Sequence, residues 1–262
     1  MTPPEALRPR SVTDLPAPWP ADRFIVDDFD RWADPLAWGD ERALLFLARP
    51  RPDTAALIGV GEPAALAAVL AAVITPDGGP SVAESGHLGQ VAVASLTRGT
   101  WDLLDTTVAG VLGLPTVSHW DWLWTEAPPP ATPGEDAVRL LDPVADAEEI
   151  LAVQAAANPT THLTLDREGA RWFGWRDGQG SLRAIGGTTQ RPVSVHLGSI
   201  ATVPAWRGRG LGAAVTAAMT RGGISSTGQV SLGMYADNAP ARRLYTRLGF
   251  AVGQEVETHR RA

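Results

Sequence analysis

Ile200 to Gly212 reads IATVPAWRGRGLG. A strand-like run enters a turn at Pro204, passes through Arg-Gly-Arg-Gly-Leu-Gly and continues into AAVTAAMT, a sequence suited to helix. Gly208, Gly210 and Gly212 lack a Cβ, so backbone N–H groups there can approach a ligand closely. They precede a helix, whose first turn leaves unpaired N–H groups at the positive end of its dipole. Arg207 and Arg209 add positive charge. The combination suits a pyrophosphate. The spacing is not the G-x-G-x-x-G of dinucleotide-binding folds, which also place an acidic residue about 20 positions further on. Nor is it a P-loop, which needs G-K-S/T, and the chain has no lysine. A tight strand-to-helix turn with two solvated arginines is the alternative reading.

Outward from this stretch, the C-terminal half predicts an alternating pattern. Ala137–Leu141 suits a short strand and Asp146–Ala157 a helix with early carboxylates. Arg171–Trp175 and Ser181–Gly186 flank Asp-Gly-Gln-Gly and read as a hairpin. Val193–Val203 reads as a long strand, Arg207–Arg221 as the glycine turn and its helix, and Val230–Tyr235 as a strand. Ala239–Leu248 reads as a helix ended by Gly249, and Val252–Thr258 as a last strand. The order is β–α–β–β–β–α–β–α–β, an α/β (α+β) class in which helices flank a mixed central sheet.

Glu126–Asp136 reads EAPPPATPGED, a stiff, polyproline-like stretch that suits a linker. It predicts an N-terminal extension over 1–20, a first α/β domain over 21–125, a linker over 126–136 and a second domain over 137–262. In the first domain Arg42–Ala48, Thr54–Val60 and Val91–Ser95 read as strands. A helix begins at Glu62 with Pro63 in its first turn. Thr100–Leu112 reads as one amphipathic helix, and Val117–Thr125 as a strand with Trp120, Trp122 and Trp124 on one side.

Composition narrows the chemistry. Of 262 residues, 44% are hydrophobic and 19% charged, enough apolar material for a core. No cysteine occurs, which excludes disulfides, cysteine-ligated zinc, iron–sulfur clusters and a cysteine nucleophile. The net charge of −7 disfavours nucleic acid and favours a cationic small substrate. Every one of the 22 basic Lys/Arg positions is arginine, and only two asparagines occur, a bias typical of a high-GC, bacterial genome. Met1–Pro20 has no apolar stretch of the secretory type. The apolar run Pro63–Ile74 is short of the roughly 20 residues that span a bilayer. The expectation is a soluble, cytoplasmic protein without a membrane partner and without a metal site.

Two segments together resemble the GNAT superfamily of N-acetyltransferases. The first is the family's Gln/Arg-x-x-Gly-x-Gly/Ala signature after a long strand, matched by Arg207, Gly210 and Gly212. The second is Tyr235–Phe250, YADNAPARRLYTRLGF, which is similar to the family's strand–Asn–helix–Tyr–LGF block through Asn238, Tyr245 and Leu248–Phe250. The resemblance covers Asp136 to about Thr258. It implies that acetyl-CoA lies in a V-shaped opening between the strand ending at Val203 and the strand around Leu232. It further implies that backbone groups of Ile200, Ala201, Thr202 and Val203 hold the pantetheine arm and thioester carbonyl. Backbone N–H groups from Gly208, Arg209, Gly210, Leu211, Gly212 and Ala213 would hold the pyrophosphate, with Arg207 beside them. Asn238 would lie near the pantetheine or the splayed strand, and Tyr245 would protonate the leaving thiolate. The implied reaction is direct attack of a primary amine, from a small molecule or peptide, in a ternary complex.

One branch of the family carries a catalytic glutamate on the long strand eleven positions before the signature, and here that position is His196. A second branch has a glutamate five before the asparagine, where this chain has Gly233. Histidine is a competent base near neutrality. A water chain competes with it, as does a half-buried, hydrogen-bonded strand histidine without a chemical role. Tyr245 has the alternative of plain helix packing. Trp172, Trp175 and Trp206 either line the groove or pack the core, and the stripe Trp120, Trp122, Trp124 suits sheet or inter-domain packing. The N-terminal half matches neither block, Thr97–Thr100 (TRGT) being a poor echo, yet its strand and helix order suits a degenerate second copy. An unrelated substrate-binding domain is the other reading. A non-catalytic acyl-CoA-binding or sensing module is the alternative for the whole protein. The sequence leaves the acceptor, the acyl length and the oligomeric state open.

Overall fold

The computed structural model describes residues 6–51, 54–74, 91–161 and 163–261, so Met1–Glu5 of the expected extension lie outside it. In chain order the helices and strands are α1 (Arg23–Asp28), β1 (Ala33–Gly39), β2 (Ala43–Arg51), β3 (Thr54–Gly61), α2 (Pro63–Val73), β4 (Val91–Thr97), α3 (Thr106–Leu112), β5 (Thr116–Thr125) and β6 (Arg139–Leu141). They continue with α4 (Ala147–Ala157), β7 (Arg171–Arg176), β8 (Leu182–Gln190), β9 (Val195–Thr202), α5 (Leu211–Thr227), β10 (Val230–Tyr235), α6 (Ala239–Arg247) and β11 (Ala251–Arg260). The class is mixed α/β, as the sequence implies. No described helix is long and apolar enough to cross a membrane.

The chain divides into two compact units, and neither is one continuous segment. The first comprises Met1–Asp121, Tyr235–Asp237 and Gly253–Ala262; the second comprises Trp122–Met234 and Asn238–Val252.

In the first unit β1, β2 and β3 form an antiparallel meander. Through α2, β4 returns parallel to β3, with rungs from Ala55–Val91 to Gly59–Leu96. The far part of β11 pairs antiparallel with β4, from Val256–Thr97 to Arg260–Val93. Leu66, Leu70 and Val73 form one face of α2 and are buried with Leu45, Leu57 and Leu96. Leu15 and Trp19, from the expected extension, are buried, and Trp19 Nε1 donates to the Asp40 carbonyl at 2.6 Å. Two elements here were not legible in the sequence. α1 is capped by Asp22, whose carboxylate accepts from Ile25 N. β1 contains Pro35, with Asp34 at φ 43, so its pattern does not alternate like a regular strand. The single helix expected over Thr100–Leu112 is instead a 3-10 turn, Trp101–Leu103, followed by α3. Leu104 is extended, and Asp105 caps α3 by accepting from Thr107 N at 2.7 Å. A carboxylate that satisfies the first helical N–H groups starts a helix rather than continuing one.

In the second unit β6, β7, β8 and β9 are antiparallel neighbours, and α5 crosses over to β10, which runs parallel to β9. The expected hairpin turn is closed by Asp177, whose carboxylate accepts from Gln179 N and Ser181 N. α5 extends past Arg221 to Thr227 despite Gly222 and Gly223. The second glycine is where the helix meets the sheet: a Cβ on Gly223 would come within 2.4 Å of Val230 Cγ2. Of the tryptophan stripe, Trp122 is fully buried, while Trp120 and Trp124 are half-buried.

Candidate active site

The register of β9 against β8 slips once. Gly187 faces Gly198 and Ile185 faces Ala201, so Gly186 alone opposes Ser199 and Ile200. This is a β-bulge on β9, with Ser199 in the left-handed region at φ 52. A bulge inverts the facing of every later side chain. Before it, Val195 and Leu197 enter the core shared with α5; after it, Ala201 enters the core shared with Ile150 and Val153 of α4. β9 and β10 are paired through Val195–Val230, His196–Ser231 and Leu197–Leu232, the first three positions of each strand. Ile200 to Val203 therefore carry their backbone groups along the stretch beyond those rungs.

Past Val203 a 3-10 turn, Pro204–Trp206, delivers the glycine segment. Gly208 and Gly210 stand at φ 76 and φ 82, and a Cβ on either would meet nothing within 4 Å. The backbone there is open on its outer side. Gly210 is the N-cap of α5 and supplies no capping side chain. The first backbone bond of the helix runs from Ala214 N to Gly210 O, so the N–H groups of Leu211, Gly212 and Ala213 come before it. A Cβ on Gly212 would meet Thr202 Oγ1 at 3.4 Å.

The two arginines are not both turned to this cradle. Arg207 donates to the carbonyls of Thr202, at 3.2 Å, and Ala157, at 3.3 Å, which ties the end of α4 to the end of β9. Arg209 stacks over Trp206 at 4.5 Å, with Arg183 at 5.1 Å from the same ring. Trp175 lies 6.1 Å from Trp206, whereas Trp172 is wholly buried and belongs to the core. Asn238 is the N-cap of α6, accepting from Ala241 N at 3.1 Å through its side-chain oxygen.

Tyr245 sits on α6 in the core that also holds Leu197 and Val215, its ring 6.0 Å from Phe250. Only 8% of the residue is exposed, and burial alone pushes its phenol up to about 12. No hydrogen bond or charge among the described residues contributes to that shift. His196 points to the other face of the strand pair, by alternation from Val195 and Leu197. Its Nδ1 lies 2.9 Å from Ser231 Oγ, which in turn lies 3.3 Å from Ser194 Oγ. The structure thus sets His196 and Tyr245 on opposite faces and does not bring them into contact. Ser231 and Ser199 were missed from sequence, because a rung partner and a bulge leave no local signal. Among the described residues, no group of three His, Asp or Glu side chains is placed to hold a metal ion. A surface depression lined by Thr132, Glu135, Arg221 and Ser225 includes none of these groups, and Arg221 and Glu135 form an ion pair there.

Residues 173–259 match the family model described as FR47-like protein. That span holds the bulge, the glycine segment, Asn238 and Tyr245. No curated protein matches the sequence. Among solved structures, the chain is similar to a GCN5-related N-acetyltransferase from Kribbella flavida, with TM-score 0.54 and 16% identity over 92% of this chain and 96% of that one. It is also similar to a GCN5-related N-acetyltransferase from Sphaerobacter thermophilus, with TM-score 0.53 and 16% identity over 91% and 84%. A GNAT-family acetyltransferase from Colwellia psychrerythraea gives TM-score 0.52 and 12% identity over 98% and 100%. At these identities the likeness is one of fold. The protein has the fold of the GNAT acetyltransferases, and the segment matching the family model contains both motifs on which the sequence resemblance rests.

Proposed function

We propose that the protein is an acetyl-CoA-dependent N-acetyltransferase whose acceptor is a primary amine of a small molecule or peptide. The observation that carries this reading is the open glycine backbone at the uncapped start of α5, with Gly208 and Gly210 at φ 76 and φ 82, together with Tyr245, a buried phenol on the helix that follows β10. A packing residue needs no hydroxyl there, and a proton donor does. The open glycine backbone and the uncapped start of α5 fit a pyrophosphate, and the backbone of Ile200–Val203 fits a pantetheine arm. When bound, the thioester supplies the acetyl group and a thiolate leaving group.

The chain's own residues then handle protons. If His196 donates its Nδ1 proton to Ser231 Oγ, Nε2 keeps its lone pair and takes the proton that the acceptor nitrogen loses. The nitrogen–carbon bond forms as the carbon–sulfur bond breaks, and Tyr245 gives its phenolic proton to the departing sulfur. Arg207 acts as a brace rather than as a phosphate ligand, and Asn238 as the cap that fixes the start of α6. We further infer that the N-terminal half is a degenerate copy without a cosubstrate site. Its β3 and β4 stay paired over five rungs, and α2 begins directly after Gly61 with Glu62 as N-cap, bonded to Arg42. A carboxylate at that helix start repels phosphate.

The test is release of free CoA from acetyl-CoA over a panel of primary amines. Release that depends on an amine supports the enzyme. Tight CoA binding with no amine-dependent release assigns the protein instead to the non-catalytic acyl-CoA-binding modules.

A further inference from the structure

The Pro-rich stretch 126–136 lies wholly within the second unit. It is turned inward along one edge. Pro129 is buried and Thr132 and Glu135 are half-buried, at the three-residue spacing of a polyproline chain, whereas Pro128, Pro130 and Pro133 are exposed. The element it lies against is α5. Thr132 and Glu135 line one depression together with Ala218, Arg221 and Ser225 of that helix.

Arg221 grips the stretch at two places. Its Nε and one terminal nitrogen donate to the two Glu135 carboxylate oxygens, at 2.6 and 3.1 Å, and the same terminal nitrogen donates to the Pro129 carbonyl at 3.1 Å. A forked, charge-assisted pair fixes direction as well as distance. The hydrogen bond from Arg221 also holds the Glu135 carboxyl below the usual carboxylate range, so the pair stays ionised at neutral pH. Glu135 opens a 3-10 turn, Glu135–Ala137, whose N-cap Gly134 stands at φ 78. A Cβ on Gly134 would lie 3.5 Å from Trp175 Nε1 and 3.9 Å from Ala214 Cβ. Ala214 is fully buried, and its N–H makes the first backbone bond of α5, to Gly210 O. The stretch therefore bears on α5 at two points about two turns apart. One is Arg221. The other is Ala214, directly after the free donors of Leu211, Gly212 and Ala213.

We propose that residues 126–136 are a strap that seats α5, and that Arg221 and Glu135 are positioning residues for the cosubstrate cradle at the start of that helix. The proposal rests on the reading of the glycine turn as a phosphate cradle. Donors at a helix start serve a phosphate only while the first turn is held, and a turn that must be ordered again on binding costs affinity. The experiment compares the wild type with Arg221→Gln, Glu135→Gln and Arg221→Lys, the last keeping the charge without the fork. Hydrogen exchange read by mass spectrometry follows the strap amides Glu135–Val138 and the first-turn amides Ala214–Ala218, with β8 as the internal control. Calorimetry reads CoA. Either glutamine variant is expected to speed exchange in the strap and in the first turn, to leave β8 unchanged and to weaken CoA about fivefold. Arg221→Lys is expected to fall between them and the wild type. By reciprocity, saturating CoA should slow exchange of the strap amides in the wild type. A strap that loosens without a change at Ala214–Ala218 or in CoA affinity overturns the proposal, as does a strap whose exchange Arg221→Gln leaves unaltered. If the wild type does not bind CoA, the cosubstrate reading is wrong, and first-turn exchange still decides the strap: faster exchange in the glutamine variants supports it, and unchanged exchange overturns it. Should the variants fail to fold, the wild type with and without CoA carries the decision, slowed strap amides supporting the proposal and unslowed ones overturning it.

Discussion

At the scale of single residues, the proposed chemistry depends on two protons held on opposite faces of one strand pair. Tyr245→Phe keeps the ring against Phe250 and removes the hydroxyl. Turnover should fall by roughly 10²–10⁴, with CoA affinity by calorimetry nearly intact; turnover within twofold of wild type would show that the sulfur leaves without this proton. The same residue predicts an alkaline stability limit. Burial pushes its phenol up to about 12, above the ordinary tyrosine value of about 10, so the fold favours the neutral phenol. That stabilisation is complete below pH 10 and is lost as pH rises toward 12, by up to about 3 kcal/mol at about 1.4 per unit. Denaturant midpoints measured across that window should decline in the wild type and decline less in Tyr245→Phe. His196→Gln can hydrogen-bond Ser231 but cannot take up a proton. It should lower kcat with CoA affinity intact by calorimetry; an unchanged kcat would assign the removal of the amine proton to a water chain.

Among the elements, β9 and the start of α5 matter most, and both depend on backbone conformation rather than on side-chain identity. Gly210 stands at φ 82, where a β-branched residue is strained by about 1–2 kcal/mol. Gly210→Val should weaken CoA at least tenfold by calorimetry, about 1.4 kcal/mol, while far-UV circular dichroism keeps its native shape. Undiminished affinity would remove the pyrophosphate from this turn. The contrast with α2 is instructive. There Pro63 occupies the first turn and Glu62 the cap, so the sequence reads simply as a helix start, and the structure makes it one. At α5 the cap position carries no side chain at all, and the donors are left for something else.

For the molecule as a whole, the expected stoichiometry is one CoA per chain by calorimetric titration, since among the described residues only the unit built on β9 and β10 combines a parallel strand pair that stops after three rungs with an open glycine turn at a helix start. Two equivalents would contradict a degenerate N-terminal copy. The sequence by itself determined the local events. The glycine turn, the DGQG hairpin, the α2 start and the block from Asn238 to Phe250 are each specified within a dozen residues, by missing Cβ atoms, fixed φ angles, caps and periodicity. Tertiary structure alone decided the rest. The Pro-rich stretch at 126–136 reads as a connection, but does not say which core the flanking strands join. In the fold, Gly253–Ala262 pairs within the first unit and Trp122–Thr125 lies in the second. The bulge at Ser199, the Ser231 partner of His196 and the grip of Arg221 on Glu135 are likewise invisible along the chain. Strand pairing joins residues far apart in sequence, and its register is set by whole faces being buried together. A segment can carry the signature of a strand without carrying any mark of its neighbour.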